Sequence, residues 1–296
     1  MPKRYIDLHC HSLYSDGTFS PAELIAEARQ AGLAALALTD HDNHDGWIEL
    51  KAAADEAGDI EVVPGIEIST RQECPDGVFR RFDVLAYLFD PASGYLDGKL
   101  KTLREAREER NARMIVRLAG MGIEISMERL REIAGGRVIG RPHFARAMME
   151  KGYVRTLSEA FERYLGDRAP GYVSKETMTA VRAIQVAREA GGVCSLAHPG
   201  EARVADQGLW RDILAQLSEA GLVGLECHYP EHSDRDARMF LDLAKRFGLV
   251  ATGGSDFHGA NRPGVYLGKG RGDLRVPYEA LEELRQRRPS APPATP

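Results

Sequence analysis

Short apolar runs recur along this chain, and most of them end in a histidine or an acid. Tyr5-Ile6-Asp7-Leu8 leads into His9-Cys10-His11, and Ala34 to Leu38 leads into Thr39-Asp40-His41. Ile60 to Val63 is carried past a Pro-Gly break by Ile66-Glu67-Ile68. Val193 to Ala197 leads into His198, Leu222 to Cys227 carries Glu226 and reaches His228, and Leu249 to Thr252 leads to Asp256 and His258. Phe82 to Leu88 reads as one further strand. Amphipathic helices fall between. One spans Pro21 to Ala31, with Ser20 as N-cap, Pro21 in the first position, Glu23 closing a capping box and Gly32 ending it. Another covers Trp47 to Ala57. This alternation predicts a mostly parallel α/β sheet or barrel. In α/β barrels the carboxyl ends of the strands share one rim, so polar residues far apart in sequence converge there.

The middle of the chain differs. From about Leu96 to Gly171 the periodicity is helical and no strand is evident. We therefore expect a discontinuous barrel, residues 1–95 and 172–288, a helical insertion or cap over 96–171, and a frayed Pro-rich tail over 289–296.

The strand-end residues carry metal chemistry. On a strand alternate side chains share a face, so His9 and His11 project together while Cys10 points away. Asp16 follows shortly after. Paired imidazoles with carboxylates from nearby loops suit Mn, Zn or Fe. One histidine after a strand is more often a satisfied structural residue. The repeated placement of imidazoles and acids after apolar strands instead predicts a multinuclear centre.

Composition sets bounds. The 296 residues are 43% hydrophobic and 28% charged, enough for a sizeable core. A net charge of -5 gives no overall pull toward nucleic acid, so any phosphate contact is a local patch. The scattered cysteines, Cys10, Cys74, Cys194 and Cys227, read as reduced thiols of a cytoplasmic protein. No segment has the apolar run of a signal peptide or a membrane span.

On these motifs the chain resembles the polymerase and histidinol phosphatase (PHP) superfamily, metal-dependent phosphoesterases with a distorted seven-stranded β/α barrel. The resemblance covers residues 5–90 and 190–270 and implies three metal pockets. His9, His11, Glu67 and Asp256 would hold one ion, and Asp16, His41 and His258 a second. Glu67 would bridge to a third, completed by His198 and Asp83. Asp83 departs from the family pattern, which has histidine there; it is expected to be a direct ligand of the third ion, the alternatives being an acid that orients a ligand or loss of the site. The implied cofactor is two or three divalent ions, manganese first. Glu67, His198, Asp256 and His258 would surround the reacting water, and a His or a coordinated water would protonate the leaving oxygen.

Ile139-Gly140-Arg141-Pro142-His143-Phe144-Ala145 and Gly254-Ser255-Asp256-Phe257-His258-Gly259 narrow the resemblance. They are similar to the subgroup of ribonuclease AM and the 3',5'-nucleoside bisphosphate phosphatases. That implies removal of the 3'-phosphate from adenosine 3',5'-bisphosphate to give AMP, and 5'-to-3' trimming of short 5'-phosphorylated RNA. Arg137, Arg141, His143 and Lys175 are then candidates to grip the 5'-phosphate, and His228 and His232 to line the pocket. Ser255 and Asp40 would orient ligands. Lys101, Arg104, Arg107, Arg110, Arg113 and Arg117 recur at helical spacing, interleaved with Glu105, Glu108 and Glu109, and read as a solvated ion-paired face. The competing readings are a histidinol phosphatase, a catalytically silent metal-stabilised module, and a zinc amidohydrolase, for which a bridging lysine is wanting.

Overall fold

The computed structural model describes residues 4–135, 138–175 and 177–289. Its strands are β1 (Tyr5–Cys10), β2 (Leu33–Leu38), β3 (Glu61–Ile68), β4 (Arg71–Glu73), β5 (Phe79–Arg81), β6 (Val84–Tyr87), β7 (Val193–Leu196), β8 (Gly224–His228), β9 (Val250–Gly253) and β10 (Val276–Pro277). The helices are α1 (Pro21–Ala31), α2 (Trp47–Ala57), α3 (Gly94–Ala119), α4 (Met127–Ile133), α5 (Arg141–Glu150), α6 (Leu157–Ala160), α7 (Ala180–Glu189), α8 (Gln207–Glu219), α9 (Asp234–Phe247) and α10 (Glu279–Gln286). The α1 start carries the expected capping box of Ser20 and Glu23, and Gly32 closes the helix in the left-handed conformation at φ 72°.

Eight strands form one sheet in the order β10-β1-β2-β3-β6-β7-β8-β9. It is nearly closed. Beyond β9 the chain pairs back onto the end of β1, with Asp256 N–H donating to His9 O at 2.7 Å and His11 N–H to Phe257 O at 2.9 Å. Gly254 permits this approach, because a Cβ there would strike His9 and Asp7.

Two strands depart from the parallel pattern: the short edge strand β10, antiparallel to β1, and β6 within the sheet. β6 runs antiparallel to both β3 and β7. After β3 the chain makes a small β4–β5 hairpin at the rim and descends directly, with no crossover helix. A reversed strand presents its first residues at the rim where its neighbours present their last. Asp83, just before β6, therefore stands beside Glu67 and His198.

The helix α3 joins two cores. Leu96, Leu100 and Leu103 pack with α7 and the sheet. Met114 and Leu118 belong to a separate cluster with Leu130, Phe144, Met148 and Leu165 from the following helices. At 26 residues, α3 is about 39 Å long at ~1.5 Å per residue. Its middle turns arrive at the rim. No helix among the described residues is long and apolar enough to cross a membrane.

Candidate metal centre and basic cavity

The strand ends bring His9, His11, Asp16, Glu67, His198 and Asp256, all buried, into one cluster with the partly buried His41 and His258. Three groups within it have atoms close enough to share an ion: His11, Asp16, His41 and His258; His9, His11 and Asp256; His9, Glu67 and His198. The Nε2 atoms of His9 and His11 stand 3.2 to 3.6 Å from Glu67 Oε2 and Asp256 Oδ1. A tetrahedral ion with ligands at ~2.1 Å holds its ligand atoms about 3.4 Å apart. In the neighbouring group, Asp16 lies 3.2 Å from His258 Nε2 and 3.7 Å from His41 Nε2. The Nε2 atoms of His9 and His11 are buried with no hydrogen-bond partner, and His41 Nδ1 stands 2.8 Å from Glu67 Oε2. Unsatisfied buried nitrogens aimed at carboxylates at coordination spacing fit a divalent metal.

The charges agree. Burial alone would raise Asp16, but His41 and His258 outweigh it and hold the carboxyl well below its usual range. Asp256 is likewise held low against burial, by Arg262 and His9. His258 is pushed up to about 9, because Asp16 and Asp256 overcome its burial. A proton on His258 takes the place a cation would take, and metal and proton compete for the same atom.

A surrounding layer of polar groups fixes the rings. His9 Nδ1–H donates to Glu226 at 2.9 Å, which leaves Nε2 for a metal. The other Glu226 oxygen accepts the His198 N–H at 2.6 Å. Asp40 accepts from Ser15 at 2.5 Å, and Ser15 Oγ lies 3.4 Å from His11 Nδ1. Asp256 turns one oxygen toward the histidines, while the other is bound by Tyr229 OH at 2.9 Å and by Arg262. His198 and Asp256 sit at positive φ, 25° and 52°, the kind of backbone strain that collects at functional sites.

Beside this cluster a cavity of about 570 Å³ opens, with Asp16 and His41 in its wall. Arg81, Arg107, Arg110, Arg141 and Lys175 line it, with Phe79, Phe161 and Tyr172. Asp42 takes Lys175 Nζ at 2.8 Å and Arg107, and Asp167 takes Arg141 at 2.6 Å. Arg110 has no acidic partner among the described residues, although it is only 5% exposed. Burial first, then Arg107 and Arg141, drag its pKa down to about 9, and it still carries its charge at neutral pH. Such a cation is stable only beside an anion. A second cavity of about 910 Å³ adjoins the first through Phe79, Arg81 and Phe161, and reaches Glu201, Tyr229 and His232.

Several expected residues fall elsewhere. His143 is buried at the start of α5, where its Nδ1 accepts the Gly140 N–H at 2.9 Å; it caps the helix and does not line the cavity. His228 faces the opposite side, among Asp242, Lys245 and Glu279, because an irregularity near the end of β8 turns it from the Glu226 face. His232 does line the second cavity, but Nδ1 meets Cys227 O at 3.1 Å and Nε2 accepts the Gly200 N–H at 3.3 Å. Asp83 is absent from the three ion-sized groups, since its carboxylate is engaged by Arg81 and by the Thr70 N–H. Arg137 lies outside the described residues. The expected solvated face of α3 is corrected too, because Arg107 and Arg110 are buried. Residue spacing offered a sign of this: Leu96, Leu100, Leu103, Arg107, Arg110, Met114 and Leu118 follow one helical stripe, and Glu105, Glu108 and Glu109 lie off it. Arg262 and Tyr229 carried no sequence signal.

A cluster of candidate metal ligands on the carboxyl rim of an α/β barrel, opening on a basic cavity, fits a metal-dependent phosphoesterase. The chain belongs to the PHP domain family, whose model matches residues 7–220. It is 35% identical over 259 residues to a 5'-3' exoribonuclease of Haemophilus influenzae, covering 87% of this chain and 91% of that one. It is 36% identical over 264 residues to a 3',5'-nucleoside bisphosphate phosphatase of Chromobacterium violaceum, covering 89% and 90%. A Bifidobacterium adolescentis structure, named as a candidate metal-dependent phosphoesterase, superposes with a TM-score of 0.85 at 29% identity, covering 98% of each chain.

Proposed function

We propose that this enzyme hydrolyses the 3'-phosphate of nucleoside 3',5'-bisphosphates, adenosine 3',5'-bisphosphate to AMP and phosphate, and trims short RNA from a 5'-phosphorylated end. Both reactions break the phosphorus–O3' bond of a nucleotide held by its 5'-phosphate. The observation that carries this reading is the buried Arg110, with no acidic partner among the described residues, beside the metal-binding cluster.

Here Arg107, Arg110 and Arg141 grip the 5'-phosphate through charge-assisted hydrogen bonds, and Lys175 adds a point charge. Phe161 and Tyr172 flank Arg141, with its guanidinium 5.7 and 5.6 Å from their ring centres, and keep it aimed into the cavity. This grip anchors the 5'-phosphate, and the span of the nucleotide then delivers its 3'-phosphate to the cluster. His9, His11, Glu67 and Asp256 form one pocket for an ion, and Asp16, His41 and His258 a second. When bound, divalent ions acidify water and neutralise phosphoryl oxygens, and manganese suits this mix of imidazole and carboxylate. Glu226 and Arg262 hold the ligands in register. In this scheme residues 1–95 and 172–288 are the catalytic barrel, and 96–171 the cap that supplies the grip. The four buried free cysteines support a reducing, cytoplasmic setting.

The test compares adenosine 3',5'-bisphosphate, a 5'-phosphorylated oligoribonucleotide and histidinol phosphate with the manganese-loaded enzyme. Turnover of the first two supports the reading. Turnover of histidinol phosphate alone, or of none, defeats it.

A further inference from the structure

The three ion-sized groups are not satisfied alike. Where His9 and His11 face Glu67 and Asp256, the atoms stand 3.2 to 3.6 Å apart and the two Nε2 atoms lack partners. His198 Nε2 is bonded to Glu67 Oε1 at 2.8 Å, and His41 Nδ1 stands as close to Glu67 Oε2, so what sets the His198 pocket apart is its remaining acid. His9 cannot serve both places, since Nδ1 is bound to Glu226 and only Nε2 remains. The acid nearby, Asp83, is fully buried and has its oxygens taken. Oδ1 accepts the Thr70 N–H at 3.2 Å, and Oδ2 accepts from Arg81 Nε at 2.7 Å and from Nη2. That Oδ2 is 4.0 Å from His198 Nε2.

Arg81 itself is not buried away. Its side chain is 40% exposed and lines both cavities, at the seam beside the metal-binding cluster. We infer that the His198–Asp83 pocket takes no ion in this enzyme, and that Arg81, clamped by Asp83, supplies the third positive charge and contacts the phosphoryl group being transferred. A forked guanidinium held on one edge by a carboxylate keeps other N–H groups free for phosphate oxygens. The role for Arg81 rests on the phosphoesterase reading; the ion count does not.

The test counts metal by mass spectrometry after manganese loading and gel filtration, and measures inorganic phosphate binding by calorimetry. The wild type and Asp83→Asn should each hold about two ions per chain, the number a two-metal centre needs. Arg81→Ala strips a buried carboxylate of its cation, so it should take up about one ion more. The double variant Arg81→Gln/Asp83→Asn leaves no stranded charge and covers the case in which Arg81→Ala fails to fold. It should keep about two ions and bind phosphate about 10- to 150-fold more weakly, the loss of one charge-assisted contact. About three ions in the wild type, loss of an ion in Asp83→Asn, no gain in a folded Arg81→Ala, or unchanged phosphate binding by the double variant would each overturn the inference. Metal counts and phosphate binding stand whether or not adenosine 3',5'-bisphosphate proves to be the substrate.

Discussion

Arg110 offers a test in which stability and activity should move in opposite directions. It lies in the apolar stripe of α3, 5% exposed, with Arg107 and Arg141 near and no acid to pair with among the described residues. Replacing it with methionine keeps the aliphatic stem and removes the charge. Relief of an uncompensated buried cation should stabilise the free enzyme by about 1–3 kcal/mol, within the range seen when buried ionic groups give way to apolar ones. At roughly 2 °C per kcal/mol for a large domain, the melting temperature should rise by about 2–6 °C. The same change removes hydrogen bonds to a charged ligand, worth about 1.5–3 kcal/mol, so kcat/KM for adenosine 3',5'-bisphosphate should fall about 10- to 150-fold. Adenosine 3'-phosphate lacks the second anion, and its kcat/KM should not change. The assay is phosphate release from the two substrates, with calorimetric melting alongside. Destabilisation by Arg110→Met, or an equal loss on both substrates, would refute the claim that the cation is held in place for a ligand.

Three further expectations follow from named contacts. Burial first, then Arg107, push the Lys175 pKa down to about 7 against the pull of Asp42, so its charge is present below that pH and lost above it. The KM for the bisphosphate should therefore climb from pH 7 to pH 8.5 more steeply in the wild type than in Lys175→Arg, and equal slopes would rule the lysine out. Arg262→Ala should loosen Asp256 and weaken manganese affinity about 10- to 100-fold in a chelator competition, with the fold retained. His143→Ala removes a helix cap and should cost about 0.5–2 kcal/mol in denaturant melting while leaving KM unchanged, whereas a raised KM would return His143 to the binding site.

The metal-binding cluster was legible in the sequence because strand periodicity and barrel topology together decide where a residue after a strand must go. His9, His11, Glu67 and Asp256 converge for that reason, although their grouping into one pocket came from the family resemblance and not from strand placement, which Glu226 and His228 share. The fold was less legible at β6, where a tight β4–β5 hairpin reversed the strand; a single apolar run carries no record of its direction. The basic cavity was read only in part. Arg141 and Lys175 line the cavity, yet His143 turned inward to cap α5, since a ring nitrogen three residues after Gly140 meets a free helix N–H. On α3, ion pairing between Arg and Glu was the cheaper reading of the charges, but Arg107 and Arg110 share the stripe of Leu100, Leu103 and Met114. Placement of a charge on an apolar face was the stronger signal. Arg262 and Asp83 illustrate the remaining limit, for their partners Asp256 and Arg81 are fixed by side-chain geometry that no spacing rule contains.

The central claim is that one substrate bridges two anion sites, the metal-binding cluster and the Arg107–Arg110 cavity. The most direct measurement is a crystal structure of the manganese-loaded enzyme with AMP and inorganic phosphate, with the ions located by anomalous scattering. The account predicts the AMP phosphate in the basic cavity within hydrogen-bond reach of Arg110, its 3'-hydroxyl turned toward the ions, and the free phosphate among them. AMP bound with its own phosphate on the ions and its base in the basic cavity would contradict it.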